Sequence, residues 1–533
     1  MRVKQRLRRI LFAQLLGLVA AQAVSAAVYF VNDSSTSNDL WCTAAGNDAN
    51  SGLTAASPKA NVQAIIDAYT LTGGDQVRID TGVYNLTNDI TVTSADSGVA
   101  TALVSFIASP YGVTVNRGDT NAVACFNCSS AQFIQLTTTN DASLPGVPQR
   151  WLQLTGGGRG FRSGAAFNRV SRCEAVSNGL YGIQINGATA SNNIVENCVA
   201  RDTLDPSAGV GVYLGGPRAT VRNCTLAGGS HFGLRLVGAG AAMLSNNILT
   251  ATGTGSFAAH IDNTSTLSGS EFNLFWATNG ATFAQLSGTN LMNLSSWRTT
   301  TGRDNSSLER NPLFVNPAAG DYHLQSTGGS YHDGAFTADA GDSPGIDTGW
   351  GDAGAETAPN STPLQSVNAG KRNLGAYGGT EQASRTPSQR SVYLYAPVTA
   401  DQYLNQATTL PVRWTWVGTA WGSGDQTLAF HYLNESNAFI AVSGASSVIV
   451  SNGTVNWNTA SLLPAPTYQV RVTRNVDATV VDLSGPFRIG RNIIYYVNDG
   501  DAANDLWCGA TGNDTNNGLL PGAPKATVQS VID

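Results

Sequence analysis

The sequence predicts an all-β protein organised around a parallel β-helix, and three features indicate that fold. One pattern occurs four times between residues 167 and 262, at steps of 25, 26 and 23 residues. Each copy has a short alternating apolar run, a two-residue corner, a second run, a variable loop and then Gly-apolar-x-apolar. Such runs are typical of strands, and no helical period interrupts them. Since one copy cannot bury its apolar face alone, we expect stacked coils with rungs about 4.8 Å apart.

The corner of each coil carries a small polar or soft side chain. Because stacking places this position directly above itself, we expect an internal ladder in which asparagine hydrogen-bonds along the stack and cysteine packs as a small apolar group. The alternative is a metal site made from three thiols, which would have to converge on one point. We expect the ladder cysteines to be buried and reduced. The corner residues are Cys173, Cys198, Cys224, Asn247 and Asn273.

These coils resemble the right-handed parallel β-helix family, which includes pectate-lyase-like polysaccharide lyases and many large exported bacterial proteins. The resemblance covers roughly residues 28 to 385. It implies a β-helix domain over 27–385 whose last part, 274–385, is an irregular closure. This fold hosts lyases, hydrolases, adhesins and inert scaffolds, so the resemblance does not assign a reaction.

Residues 1–26 have the features of a secretory signal peptide. A basic region precedes an apolar stretch over 10–20, and Val24 and Ala26 supply the small residues of a cleavage site. The alternative is a membrane anchor, but a span needs about 20 apolar residues and this run is shorter. We therefore expect a secreted or cell-surface protein with no membrane span in the mature chain.

The charge of the mature chain limits its partners. The whole chain carries −6, and residues 1–26 carry five basic residues and no acid, which leaves −11. This balance argues against nucleic acid as a partner, because nucleic acid needs a basic face. An acidic polysaccharide would be repelled unless calcium or a local arginine offsets the field.

The sequence predicts an N-terminal cap over residues 27–86. A strand is followed by a loop rich in Asn, Asp and Gly, and Ser57 and Pro58 then predict a helix start. The helix has an apolar face at Val62 and Ile65, and it should cover the open end of the solenoid. The arrangement is similar to the N-terminal cap of the β-helix lyase-like family.

Two features of the cap loop each have more than one interpretation. The loop carboxylates could bind calcium, although their spacing does not match an EF-hand, or they could form Asx-turns in a surface loop. Cys42 could pair with Cys125 or Cys128, since disulfides are permitted in an exported protein. The carboxylates in question are Asp33, Asp39 and Asp48.

Two further segments follow the β-helix. Residues 391–490 contain several short alternating strands, and they resemble an immunoglobulin-like sandwich of the cell-wall-protein type, often an extracellular spacer. Its residues Trp414, Trp416 and Trp457 could stack on sugars, or they could form the core. Residues 494–533 repeat 28–67 without a gap, as a truncated second copy of the cap. We therefore expect a tandem unit, with this chain a fragment of a longer protein or the product of a truncated gene.

Candidate functional residues follow from which way each side chain faces. In Gly-apolar-x-apolar the x residue points outward, and on successive rungs these residues form a row that Gln153 would extend. Asp262 lies two residues past x in its coil, and His231 lies in the loop before another. We expect a polysaccharide or cell-surface glycan to bind here, and the alternative is an ordinary solvated polar face. The row is Gln184, Tyr213, Arg235 and His260.

In β-helix lyases the substrate lies along the equivalent strand face. Lyase chemistry needs a base and a positive charge beside the substrate carboxylate. By that resemblance Arg235 would supply charge and His260 or His231 the base, with calcium held by Asp202 and Asp205. The match is incomplete, because the face has no lysine and no tight aspartate cluster. A hydrolase would need two facing carboxylates, for which only Asp205 and Asp262 are candidates.

Three functions are therefore consistent with the sequence. The first is an exported glycan-binding or adhesion-type protein, which tandem repetition favours because repeated units gain by multivalency. The second is a polysaccharide lyase or hydrolase acting on an acidic polysaccharide along the groove. The third is a structural spacer.

Overall fold

The computed structural model describes residues 26–532, apart from internal gaps. The predicted signal peptide up to residue 25 lies outside the described residues. Two compact units are present, one made of residues up to 290 with 310–361 and 372–385, the other of 291–309, 362–371 and 386–533. The gaps are 141–142, 145–146, 228–230, 264, 351–370, 388, 398–402, 406–408, 419–420, 422–425, 434–437, 461, 463–464, 491–494, 517 and 519.

The first unit is a parallel β-helix, as predicted. The chain passes in turn through three parallel sheets, here called first, second and third in the order that each coil meets them. The strands of the first sheet are Val28–Val31, Gln76–Ile79, Val104–Ala108, Ile134–Thr138, Arg169–Ser171, Ile194–Glu196, Thr220–Arg222, Ala242–Ser245 and Leu267–Glu271. Those of the second are Gly82–Asn85, Val113–Asn116, Leu152–Thr155, Cys173–Val176, Val199–Arg201, Thr225–Ala227, Ile248–Thr252 and Leu274–Thr278. Those of the third are Ile90–Val92, Phe126–Cys128, Arg159–Ser163, Tyr181–Asn186, Val210–Gly215, Phe232–Leu236, Phe257–Ile261 and Thr282–Leu286.

The interior of the β-helix is filled by columns of stacked apolar side chains. In the third sheet, Ile183 pairs with Val212, and Val212 with Leu234, each fully buried. Since side chains alternate along a strand, the residues between them face outward. Each buried methylene contributes roughly 0.8 kcal/mol, so every coil stabilises the next one.

The corner between the first and second sheets carries the predicted ladder. Cys173, Cys198 and Cys224 are buried and free, which confirms the ladder expectation, and burial raises the pKa of the Cys173 and Cys224 thiols. The ladder continues as asparagine: Asn247 accepts the backbone N–H of Cys224 at 3.0 Å and donates to the backbone oxygen of Val221 at 2.9 Å. Each thiol instead donates to a backbone oxygen of its own corner, as Cys198 does to Glu196 at 3.2 Å.

The residue just before each ladder position adopts the left-handed conformation. Asn197, Asn223 and Asn246 have φ of 47°, 49° and 56°. Asparagine tolerates this conformation better than most residues, because its short side chain can hydrogen-bond locally. The tight corner therefore explains why asparagine recurs at this point of the repeat.

The cap forms, but its helix begins later than predicted. The helix is Val62–Ala68, and its N-cap is Asn61, whose side chain accepts from the backbone N–H of Ala64 at 2.9 Å. The expected start at Ser57 is wrong because Lys59 forms a parallel bridge with Val31 and so has extended backbone. The fully buried Asp80 fixes the preceding loop by accepting three successive backbone N–H groups, from Leu40, Trp41 and Cys42 at 2.6–2.7 Å.

The predicted irregular closure contains more regular structure than expected. A further coil, through 267–286, continues past Asn273. Two antiparallel hairpins follow, and then an irregular strap at residues 372–385. We call residues 310–350 and the strap together the cover. The hairpin strands are Phe314–Asn316 with Asp321–Leu324, and Ser330–His332 with Ala335–Thr337.

The cover packs on the outer face of the second sheet. Trp151, Val199 and Ala227 of the β-helix form one apolar cluster with Tyr322 and Tyr377 of the cover. Corner asparagines hold the strap by hydrogen bonds. The side-chain nitrogen of Asn197 donates to the backbone oxygens of Ala376 at 2.7 Å and Gly378 at 2.9 Å, and that of Asn223 donates to Gly378 at 3.3 Å.

In the second unit, two mainly antiparallel sheets share one core. Trp414, Trp416 and Trp457 are 1%, 7% and 2% exposed within this core, which rules out their stacking on sugars. The likeness of these sheets to an immunoglobulin-like domain stays a prediction. One sheet has strands Ser391–Ala396, Thr409–Val417 and Thr454–Asn458; the other has Tyr403–Asn405, Phe487–Gly490, Ala465–Arg474, Thr427–Leu433 and Phe439–Ala441, with Val448–Ile449 and Asp477–Leu483 paired to it.

The second unit also contains short elements outside these sheets. The helix Leu294–Thr301 begins at the N-cap Asn293 and ends at Gly302. The repeated cap segment keeps the hydrogen bonds of the first copy: Asn498 donates to Asp505 at 2.6 Å as Asn32 does to Asp39. Among the described residues, no helix has the length and apolar character needed to cross a membrane. The remaining short elements of the chain are strands Thr289–Leu291 and Leu308–Glu309, the helix Gln529–Ile532 and the 3₁₀ turns Ser94–Asp96, Pro317–Ala319 and Val450–Asn452.

We predict that Asn197 stabilises the protein in two separable ways. Asn197→Gly keeps the left-handed backbone but loses both strap hydrogen bonds, at a cost of about 1–3 kcal/mol. Asn197→Ala loses the same bonds and adds about 1–2 kcal/mol of left-handed strain. Urea denaturation would measure both losses, and limited proteolysis should cut the strap faster in each variant.

A control is available at Asn192, which is also left-handed, with φ of 57°, and whose side chain bonds Ser191 and Arg218 rather than the strap. Asn192→Gly should leave proteolysis of the strap unchanged. Equal stability of the Gly and Ala variants at position 197 would contradict the strain argument.

Candidate functional site

The predicted glycan-binding row lies on the outer face of the third sheet. Parallel pairing puts its members side by side on successive rungs. At about 4.8 Å per rung, six positions extend over roughly 24 Å. We call this row and the loop residues beside it the groove face. In rung order, the row is Arg162, Gln184, Tyr213, Arg235, His260 and Gln285.

Two predicted members of the row are placed differently from expectation. Gln184 is only 3% exposed, because Arg159 lies against it and donates Nε to its side-chain oxygen at 2.7 Å. Gln153 does not extend the row, so that expectation is wrong. It belongs to the second sheet, where it pairs with Glu174. The sequence segment around Gln153 lacks the Gly-apolar-x-apolar pattern, and Arg162 occupies the next position of the row instead.

Aromatic rings and arginines both line the groove face. Tyr181 and Tyr213 lie 5.0 Å apart between ring centroids, and the Arg159 guanidinium lies 5.2 Å from the Tyr181 ring. Further along, Arg235 lies 4.8 Å from the ring of Phe232. Aromatic faces can stack on sugar rings, and guanidinium forks can bind carboxylates or hydroxyls.

The three candidate catalytic residues converge on Phe232. The ring centroids of His231 and His260 lie 4.4 and 5.1 Å from that of Phe232, in edge-on contact, and the Arg235 guanidinium lies over the Phe232 ring. Burial lowers the pKa of both histidines, and the nearby positive charge of Arg235 lowers both further. Both imidazoles are therefore mainly neutral near pH 7, the form that accepts a proton.

The carboxylates proposed for this face have other partners. Asp202 pairs with Arg201 at 2.5 Å. Asp205 is exposed and accepts from the backbone N–H groups of Ser207 and Ala208, both at 2.9 Å, which lowers the pKa of its carboxyl. Asp262, one residue past its strand, accepts from the backbone N–H of Gly238 at 3.4 Å.

The cap-loop carboxylates are likewise engaged in local hydrogen bonds. Asp33 accepts the backbone N–H of Ser35 at 2.7 Å, as in an Asx-turn, and Asp48 accepts that of Ala60 at 2.9 Å. Burial raises the pKa of the Asp39 carboxyl to about 7, which disfavours the charged form that calcium prefers. Within the described part of the chain, no group of three or more His, Cys, Asp or Glu side chains is placed to hold a metal.

Sequence reasoning missed a second site, a cleft of about 980 Å³ between the second sheet and the cover. Its floor is the outer face of the second sheet, with Gln153, Glu174 and Arg201. Its far wall comes from the cover, and Trp151 lines one side. The cover residues of the cleft include Asp321, His323, Tyr331, Tyr377 and Gln382.

Ionisable groups from distant parts of the sequence meet in this cleft. The hydroxyl of Tyr377 approaches Glu174 at 3.5 Å, and the Nδ1 of His323 lies 2.7 Å from Asp321. Burial raises the pKa of Glu174, an effect that Arg201 and His323 partly offset. Burial would also raise the pKa of Asp321, but its hydrogen bond with His323 reverses this and the pKa is lowered. The pKa of the Glu174 carboxyl is therefore shifted upward and that of the Asp321 carboxyl downward.

The sequence holds only weak signals for this cleft. Glu174 was recognisable as a charged, outward residue directly after the ladder position Cys173. The spacing of Asp321 and His323, two residues apart as on one face of a strand, was also visible in the sequence. Nothing in the local sequence connects these two residues with the strand that carries Glu174, more than a hundred residues earlier. The Asn-rich corners offered the better clue, since their outward amides needed partners.

Comparison with known proteins supports the fold. A family model described as a right handed beta helix region matches residues 111–247. This stretch contains the ladder cysteines and part of both the groove face and the cleft floor. Neither the comparison with curated proteins nor that with solved structures found a match. The chain thus contains a right-handed parallel β-helix region.

Proposed function

We propose that this protein is an exported, extracellular glycan-binding protein that holds an extended acidic polysaccharide along the groove face. The observation that carries the proposal is the aligned set of rungs on which arginines and aromatic rings lie side by side. The signal-like residues 1–26 support export, and the second unit would act as a spacer between repeated binding units.

Electrostatics favours an acidic ligand at this face. Arg159, Arg162 and Arg235 lie on the groove face of a chain whose mature form carries a negative net charge. A polyanion would be repelled by most of the surface, so these arginines provide the local attraction. Rungs about 4.8 Å apart would place an arginine or an aromatic ring beside each successive sugar.

We predict that Arg235→Ala weakens binding of pectate or alginate oligosaccharides at least about tenfold, or about 1.4 kcal/mol. The side chain points outward, so the melting temperature should stay within about a degree or two. Calorimetric titration would measure the affinity. The matched control is Arg218→Ala, which removes an exposed arginine outside the groove face. Equal losses in both variants would indicate only a general charge effect, and no loss in either would exclude this face.

A lyase is the second candidate, because a neutral His260 stands beside Arg235 on adjacent rungs. His260 would remove the proton next to the uronate carboxylate while Arg235 stabilises the resulting enolate. The enolate then expels the glycosidic oxygen from the adjacent carbon, which forms the carbon–carbon double bond, and the released oxygen takes a proton from solvent.

The pKa of His260 is lowered, so the base form dominates above that pKa and is lost as pH falls through it. We predict release of unsaturated uronate from pectate or alginate that declines on acidification and disappears in His260→Ala. Ultraviolet absorbance would record the unsaturated product. Binding without any such product would reject the lyase and leave the binding proposal intact.

A further inference from the structure

The cleft under the cover lies on a different sheet from the groove face, and four side chains that line it have buried polar atoms without a hydrogen-bond partner among the described residues. They include three donors and one acceptor. Buried polar groups in folded proteins are nearly always hydrogen-bonded, and an unmade bond costs about 1–3 kcal/mol. A partner for these atoms would have to be water or a ligand that reaches them from the cleft. They are Trp151 Nε1, Arg201 Nε, Gln382 Nε2 and Gln149 Oε1.

Aromatic rings are also packed into the cleft walls, where Trp151, His323 and Tyr377 are each less than a tenth exposed. Trp151 and Tyr377 lie 4.7 Å apart between ring centroids, and His323 stacks on Tyr377 at 3.6 Å. Such rings beside a few fixed polar groups are the usual composition of a pocket that binds a small ring-shaped molecule.

The arginines of the cleft and Asp321 already have side-chain partners before any ligand enters. Arg201 pairs with Asp202 at 2.5 Å, and Asp321 with His323 at 2.7 Å. At the rim, Arg150 pairs with Asp333 at 3.0 Å. A charged ligand would have to break one of these pairs, whereas a neutral one would not.

We propose that this cleft is a second binding site that takes a short neutral oligosaccharide. Sugar hydroxyls both donate and accept, so they can satisfy the three donors and the acceptor together, and the aromatic residues that line the cleft add apolar contact. A volume of about 980 Å³ is at the upper end for small-ligand pockets and would hold about two or three sugar rings. The site is independent of the proposed acidic glycan on the groove face.

Close packing between the cover and the second sheet defines the shape of the cleft. Gly320 has φ of 83°, and a Cβ there would lie 2.6 Å from the Arg201 guanidinium. This glycine lets Arg201 reach the cleft floor beside the cover. The opening of the site thus depends on the close approach of the cover hairpin to the second sheet.

The test is calorimetric titration of the full chain with cellotriose, xylotriose, mannotriose and maltotriose. We expect at least one to bind with a Kd near or below about 1 mM. Trp151→Phe keeps a ring but removes the Nε1 donor, and Gln382→Leu removes the amide; each should weaken binding severalfold. The matched control is Trp276→Phe, which makes the same change on the same sheet outside the cleft, and it should leave binding unchanged.

Several outcomes would overturn the proposal. Failure of the folded wild-type chain to bind any of the four sugars at millimolar concentration would mean that water alone fills the cleft. Equal losses in Trp151→Phe and Trp276→Phe would move the site elsewhere. If Trp151→Phe lowers the melting temperature, the more exposed Gln149→Leu replaces it. An acidic oligosaccharide whose binding depends on Arg235 reports on the groove face and leaves this result unaffected.

A pH series tests the role of Glu174. Arg201 of the second sheet, Asp321 and His323 of the cover hairpin and Tyr377 of the strap face it. Burial raises its pKa, so the protonated form that can donate to a sugar oxygen persists below that pKa and is lost above it. Affinity should therefore fall as pH rises, and Glu174→Gln, which keeps a donor, should remove this dependence. A pH dependence that persists in Glu174→Gln would exclude Glu174 as the donor.

Discussion

Direct stacking of one coil on the next is the constraint on which the rest of the first unit depends. Parallel pairing puts each position beside its equivalent one rung away, so every column must tolerate the same chemistry repeated at about 4.8 Å. The corner column meets this with buried thiols that change to asparagines at Asn247, whose amide bonds the backbone of the preceding rung and the side-chain oxygen of Asn273 on the next. The outward columns are subject to the same constraint, and this is why arginines and aromatic rings line up on the groove face.

The sequence was informative where the repeat is strict and weak where it ends. Side chains on a strand point alternately inward and outward, so the inward direction of Ile183 and the outward direction of Tyr213 were predictable without knowing any contact. Beyond Asn273 the repeated sequence pattern fades, although the coil through 267–286 still forms, and the cover could not be placed. The helix at 294–301 was missed although Asn293 and Gly302 are typical of a helix start and end. The cap helix began late because tertiary pairing of Lys59 overrode the local Ser-Pro signal.

The groove face could be predicted from the sequence and the cleft could not, again because only the groove face lies within the repeat. Groove residues come from consecutive coils, so register alone brings Arg235 beside His260. The cleft instead joins Glu174 to Tyr377, which lie 203 residues apart in the chain. No spacing rule connects residues at that distance. The misplacement of Gln153 shows the limit within the β-helix itself, because an irregular early coil can be assigned to the wrong sheet when its signature is absent.

The corner asparagines link the stack to the cleft. A left-handed residue is needed to turn the chain between the first and second sheets, and its side chain then faces away from the core. At Asn197 and Asn223 this outward amide binds the strap, which carries Tyr377 over Glu174. The coil containing Glu174 also supplies Gln184, which positions Arg159 on the groove face. A shift in the register of this coil would therefore disturb both faces, so the ladder that fixes the register also fixes the geometry of each site.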